Sequence, residues 1–258
     1  MRCATTAMGT RFELVIADDR PERFRGAAEA ALEVVEGCHT RFSRFLPESL
    51  VSHLARIPAG TAVRLDRETF GLFEDAVAVW RGSGGAFDIT GGTGAMDAIR
   101  LDARRRTVAL ERPGLVLDLG AIAKGHAVDL AAGILRDAGV ASAFVHGGTS
   151  SAVAMGPRVW QVSLDDREVI GLQNTALGVS RTGHETPHPT LDPAMWRPLE
   201  VARYVAVTGP SARFCDAWAT AAVVLGMRPP GMPDGYEVRS PLTAHRSLLT
   251  PCPAAAAS

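Results

Sequence analysis

Apolar positions recur at helical spacing in four stretches of the chain and alternate in shorter runs between them. Phe24, Ala28, Ala31, Leu32 and Val35 fall on one helix face, which turns it inward. Asp18-Asp19-Arg20-Pro21 supplies the start, with proline tolerated in the first turn, and Gly37 is the expected stop. Phe70, Phe73, Val77 and Trp80 set a second helix, Arg67 to Trp80, halted at Gly82. A third opens after a glycine turn, carries Lys124 near its start and stops at Gly139. The fourth, Ala212 to Leu225, is apolar on most sides, which predicts deep burial, with Gly209-Pro210-Ser211 as its cap.

Short runs read as strands at Arg11 to Ile16, Leu115 to Leu117, Ser142 to His146, Trp160 to Leu164, Glu168 to Leu172 and Tyr204 to Thr208. Ala98 to Leu101 and Thr107 to Leu110 suggest a hairpin. Ser83 to Gly94 is a glycine-rich loop, and Ser180 to Arg197, with three prolines and no apolar face, reads as irregular. Hairpins mixed with strand–helix units argue for an α+β fold with mixed or antiparallel sheets packed by helices. We read one domain over 1–250 and a frayed, proline- and alanine-rich tail over 251–258.

Composition narrows the function classes. The 258 residues are 47% hydrophobic, enough for a large core. A formal net charge of −1 gives no support for general nucleic-acid or anionic-membrane binding. The four cysteines lack CxxC spacing, against a zinc site or a disulfide framework. No run approaches the roughly 18 apolar residues of a membrane span, and MRCATTAMGT does not read as a secretory signal. The expectation is a soluble, cytoplasmic protein. GxSxG, Walker A and a post-strand GxGxxG are missing from the sequence, so serine-hydrolase, P-loop and Rossmann chemistries lack their signatures.

Candidate chemistry concentrates in a few places. LVLDLGAIAKGHAVD (Leu115 to Asp129) brings a carboxylate, Asp118, a glycine turn and a cation, Lys124, to one point beside a helix N-terminus. Free N–H groups and the helix dipole there suit a phosphate-bearing ligand. The plain alternative is a strand–turn–helix corner with a surface lysine. Asp216 and Thr220 stand four apart on the last helix and face one way. Together they offer hard oxygen ligands of the kind magnesium prefers. Alternatively Asp216 caps or salt-bridges and Thr220 bonds back to a carbonyl. Within CDAWATAAVVLG, though, an aspartate is costly to bury unless a cation or several donors meet it. Ala86-Phe87-Asp88, behind Gly84 and Gly85, allows a bulky ligand close approach, or is a tight turn with Phe87 in the core. Phe45 could stack on an aromatic ring or serve as core. His184 and His188 are i, i+4, but the surrounding prolines break the helix a zinc pair would need. His188 remains a candidate general base or an exposed loop histidine.

Together these pieces resemble the FAD:protein FMN transferase family, also called ApbE. The resemblance runs in family order through MGT (Met8 to Thr10), FSRFLPES, GGAFDIT, LDLGAIAKGHAVD, Gly147-Gly148, LDP (Leu191 to Pro193) and CDAWAT. It implies a FAD cleft between lobes, bound magnesium, and transfer of FMN from FAD to a threonine or serine hydroxyl of an acceptor protein with release of AMP. It also implies roles: Asp216, Thr220 and the Ala121 carbonyl as magnesium ligands; Met8, Phe45, Ala86, Phe87, Asp88, Asp118, Lys124 and Thr190 as FAD contacts; His188 as catalytic base. The sequence departs from the family pattern at Pro189, where the HxxDP histidine is expected, at Ala194 to Trp196, at Ala55, and at Thr149 in place of the GGD aspartate. The losses around HxxDP and GGD fall on the acceptor-activating side. The implied alternatives are a FAD-binding protein without transferase activity and a FAD pyrophosphatase.

Overall fold

The computed structural model describes residues 1–91, 93–164, 168–182, 191–192, 197–199 and 203–239. In chain order the elements are β1 (Arg2–Ala7), β2 (Thr10–Ile16), α1 (Arg25–Phe42), α2 (Leu50–Arg56), β3 (Val63–Arg64), α3 (Arg67–Gly82), β4 (Ile99–Asp102), β5 (Thr107–Leu110), α4 (Gly120–Asp137), β6 (Ala143–Gly147), β7 (Ser151–Met155), β8 (Trp160–Ser163), β9 (Val169–Leu172), β10 (Thr175–Thr182), β11 (Leu191–Asp192), β12 (Arg197–Pro198), β13 (Arg203–Gly209), α5 (Ala212–Leu225) and β14 (Glu237–Arg239). A seven-stranded sheet ordered β1-β2-β6-β7-β10-β13-β14 forms the centre, antiparallel at every pairing. The hairpin β4–β5, extended by β3, makes a smaller sheet, and β8–β9 and β11–β12 are two-stranded.

Alternation divides the sheet cleanly. Phe12, Leu14, Val145, Val153, Met155, Ala176, Val205 and Val207 belong to the main core with α1, α3, α4 and α5. Ala152, Ala154, Leu177, Val179 and Ala206 face the other way, under Ile170 and Leu172 of β9. A sheet with helices on one face and a hairpin on the other is the α+β arrangement the sequence implied.

Three expectations need correction. The first helix does not stop at Gly37 but runs on to Phe42. Cys38 and Phe42 continue the buried stripe of Ala31 and Val35, and their burial outweighs the roughly 1 kcal/mol that glycine costs inside a helix. Leu115 to Leu117 is extended but forms no strand. Leu115, Leu117 and Leu119 are buried and Val116 is exposed, giving a strand-like alternation. Among the described residues its backbone hydrogen bond to another segment is that from the Asp118 N–H to the Ile89 carbonyl at 2.7 Å. The irregular stretch begins later than Ser180, because β10 continues to Thr182 in register with β13.

His126 on α4 is 2% exposed, edge-on to Phe42 with ring centroids 5.9 Å apart. Burial, helped by the Arg213 charge, pushes its pKa down from 6.5 to about 4. The ring is therefore neutral at pH 7, and its 3.6 Å approach to Glu68 is not an ion pair there. Between those two pH values the unfolded chain binds the extra proton, so stability falls as pH drops through the window. Denaturant melts at pH 7 and pH 4.5 should show wild type losing on the order of 2–3 kcal/mol more than His126→Leu over that interval. Equal losses would contradict the buried neutral ring.

Candidate active site

Two close backbone approaches build the site. Gly178 of β10 lies under α5 so tightly that a Cβ there would stand 2.2 Å from the Cys215 carbonyl carbon and 2.4 Å from the Asp216 nitrogen. Gly125 of α4 lies equally close to the start of α5, where a Cβ would meet the Ala212 oxygen at 2.2 Å. The two glycines let α5 nest between the sheet and α4, which brings Asp216 against α4's first turns.

Asp129, one turn further along α4, fixes the entry of α5. Its carboxylate accepts from the Ser211 hydroxyl at 2.7 Å, the Ala212 N–H at 2.8 Å and the Arg213 N–H at 3.0 Å. A negative charge on the free N–H groups of a helix start is favourable twice over, by hydrogen bonding and by the dipole. Asp129→Ala should cost about 2–3 kcal/mol in chemical denaturation. A loss below 0.5 kcal/mol would remove this account of how α5 is held.

Asp216 is 3% exposed. Its Oδ2 accepts from the Gly125 N–H at 3.1 Å. Burial raises its pKa, while the nearby Lys124 ammonium and the Gly125 N–H pull it back. Such a carboxylate is short of positive charge. The Thr220 hydroxyl donates back to the Asp216 carbonyl at 3.2 Å, the helix-internal bond foreseen as its alternative, yet donation leaves its lone pairs available. The N–H that a regular helix pairs with the Ala121 carbonyl is the one donating to Asp216. That carbonyl therefore keeps acceptor capacity beside the carboxylate. One carboxylate, one hydroxyl and one carbonyl are hard oxygens that fit a magnesium-type cation. Among the described residues no group of three His, Cys, Asp or Glu side chains is placed to hold a metal.

The glycine corner joins this centre directly. Asp118 Oδ1 accepts from the Gly120 N–H at 2.9 Å, opening α4, and Lys124 Nζ donates to the Gly120 carbonyl at 2.6 Å. Arg44 lies 3.4 Å from Asp118 and stacks over the Phe45 ring at 4.8 Å, so the FSRF segment reaches the same corner. Phe45 is 74% exposed, which rules out the core reading for it. The Ile89–Asp118 backbone bond brings GGAFDIT alongside. Phe87 is fully buried and Ala86 nearly so, whereas Asp88 binds its own loop, accepting from the Thr90 N–H and hydroxyl at 2.5 Å each. Met8 sits at a positive φ of 49° in the β1–β2 turn, its N–H donating to His39 Nδ1 at 3.3 Å. His188 and Thr190 lie outside the described residues.

Sequence reasoning did not single out Arg44, Asp129 or Gly178. Asp129 closes the central motif and could have been flagged as an acid inside a largely buried helix; Gly178 gives no signal until α5 is seen against it.

The ApbE family matches the chain over residues 8–95 and 93–230. A FAD:protein FMN transferase of Rhodobacter capsulatus is 33% identical over 137 residues, covering 46% of this chain and 26% of that protein. The chain thus spans about a quarter of that relative's length. Among solved structures, the ApbE protein of Thermotoga maritima superposes with a TM-score of 0.81 at 23% identity, covering 93% of each chain. The apo flavinyl transferase ApbE of Pseudomonas stutzeri gives 0.74 at 20% identity, covering 93% of this chain and 94% of its own. The chain belongs to the ApbE family, and its fold is the fold of those structures.

Proposed function

We propose that this protein is a magnesium-dependent flavin transferase that moves FMN from FAD to a threonine or serine hydroxyl of an acceptor protein and releases AMP. The observation that carries the reading is the meeting of the Asp216 carboxylate with Lys124 and the Gly125 N–H at the opening of α4. Family membership and the names of the transferases it is similar to support it.

In this reading Asp216, Thr220 and the Ala121 carbonyl hold the cation. When bound there, magnesium neutralises charge on the diphosphate. Lys124 and the N-terminus of α4 bind the diphosphate oxygens, with Asp118 ordering the turn. Phe45 offers its exposed ring to the flavin, steadied by Arg44, and Met8 with Ala86 to Asp88 lines the rest of the FAD cleft between the lobes. His188 accepts the proton of the acceptor hydroxyl as its oxygen bonds to the FMN phosphorus. The bond from that phosphorus to the bridging oxygen breaks, and AMP leaves.

Incubation with FAD, magnesium and a threonine-containing acceptor domain should give AMP and a covalently yellow acceptor. FAD recovered intact would overturn the transferase reading. A second reading, pyrophosphatase action giving FMN and AMP, has its own observation in Thr149, which replaces the family's acidic residue and whose carbonyl and hydroxyl meet the Arg181 guanidinium at 3.4 Å. AMP release with free FMN and an unlabelled acceptor selects it.

A further inference from the structure

One row across the large sheet runs Phe12, Gly147, Ser151, Gly178 and Val207, each directly opposite the next. Directly paired residues share a face, and this row faces the helices, as its members Phe12 and Val207 in the main core show. Ser151 therefore carries a hydroxyl between two glycines, Gly147 and Gly178, in this inward-facing row. It is 2% exposed, and its Oγ has no hydrogen-bond partner. Its neighbour Gly178 is the residue on which the Cys215–Asp216 backbone rests. The same hydroxyl acts on the Asp216 carboxylate as a hydrogen-bonding group that favours its charged form, so it lies close by, though short of a fully formed hydrogen bond. Asp216 Oδ2 is taken by Gly125, and Oδ1 accepts no hydrogen bond from a described residue.

A buried hydroxyl with no partner costs stability, commonly about 1–3 kcal/mol. Alanine would suit this apolar row better unless the hydroxyl serves the site above it. We propose that Ser151 is a positioning residue for the cation site: its Oγ–H closes onto Asp216 Oδ1 when a divalent cation binds, and holds the carboxylate aimed at the metal. Gly125 and Ser151 then grip the two carboxylate oxygens, one from α4 and one from the sheet. Groups that orient a metal-binding carboxylate in this way typically carry 10–100-fold in affinity. This inference rests on the cation site proposed above.

The test titrates the purified, metal-free full chain with Mn2+ alone, following free Mn2+ by electron paramagnetic resonance, for wild type, Ser151→Ala, Ser151→Thr and Asp216→Ala. Ser151→Ala should bind Mn2+ about 10-fold or more weakly. Its metal-free thermal midpoint should be unchanged or higher, since an unsatisfied hydroxyl has gone. Ser151→Thr, which keeps the hydroxyl, should recover most of the affinity. A purely structural serine would show the opposite pattern, a lower midpoint with unchanged affinity, and that result overturns the proposal. Wild-type affinity in Ser151→Ala while Asp216→Ala loses binding overturns the role of Ser151 alone. Absence of Mn2+ binding by wild type, or binding untouched by Asp216→Ala, overturns the cation site and this inference with it.

Discussion

Asp216→Asn is expected to abolish AMP release and flavin transfer, by on the order of 10³-fold or more, while the protein stays folded. The amide keeps the shape of the side chain and can still accept the Gly125 N–H, but it removes the negative charge a divalent cation needs. Charge neutralisation at a transferring phosphoryl group supplies several kcal/mol, and each 1.36 kcal/mol is tenfold in rate. Stability should move the other way. Burial disfavours the ionised carboxylate at 216, so in metal-free protein a neutral amide removes a cost. Magnesium-dependent FAD turnover and denaturant melts of the two proteins check both halves. Turnover within tenfold of wild type would contradict the role given to the carboxylate.

Gly178→Ala should damage fold and activity together. The added Cβ would stand 2.2–2.4 Å from the backbone at Cys215 and Asp216, where neither a β-strand nor a helix backbone can yield cheaply. Relief requires α5 to lift from the sheet by about 1 Å, at a cost of about 3 kcal/mol or more. A displacement of that size at a reactive centre also costs about 10²-fold in rate. Thermal melts and FAD turnover on the folded fraction read the two effects separately. A variant as stable and as active as wild type would mean that α5 is not seated on Gly178 as described.

α1 and α3 were legible from a one-sided apolar stripe, and α5 from an almost wholly apolar run behind a serine cap. Arg67–Gly82 and Ala212–Leu225 fall where spacing put them, and Ser211 accepts from Phe214 at the predicted cap. The strands β7 and β10 escaped notice for a physical reason. All of β7 and most of β10 are buried, because helices cover one face and a hairpin the other, so period-two polarity is erased. Leu115 to Leu117 failed in the opposite sense. There the alternation is present, but no neighbouring strand supplies a ladder.

For the site, residue types and spacing gave Asp216 and the 118–124 corner as separate candidates and the family resemblance joined them; the structure brings them together through Gly125. What spacing could not supply is the support beneath. Ser151 is legible only once β7, β10 and α5 are laid side by side, since its meaning comes from two flanking glycines on other strands or turns of the chain.

The central claim is that the α4 corner and the Asp216 helix form one centre for a cation and a dinucleotide. A crystal of the protein soaked with FAD and Mn2+, with anomalous diffraction to locate manganese, tests it most directly. Manganese is expected against the Asp216 carboxylate, Thr220 Oγ1 and the Ala121 carbonyl, with the FAD diphosphate between the ion and Lys124. Manganese elsewhere, or FAD bound away from the start of α4, would contradict it.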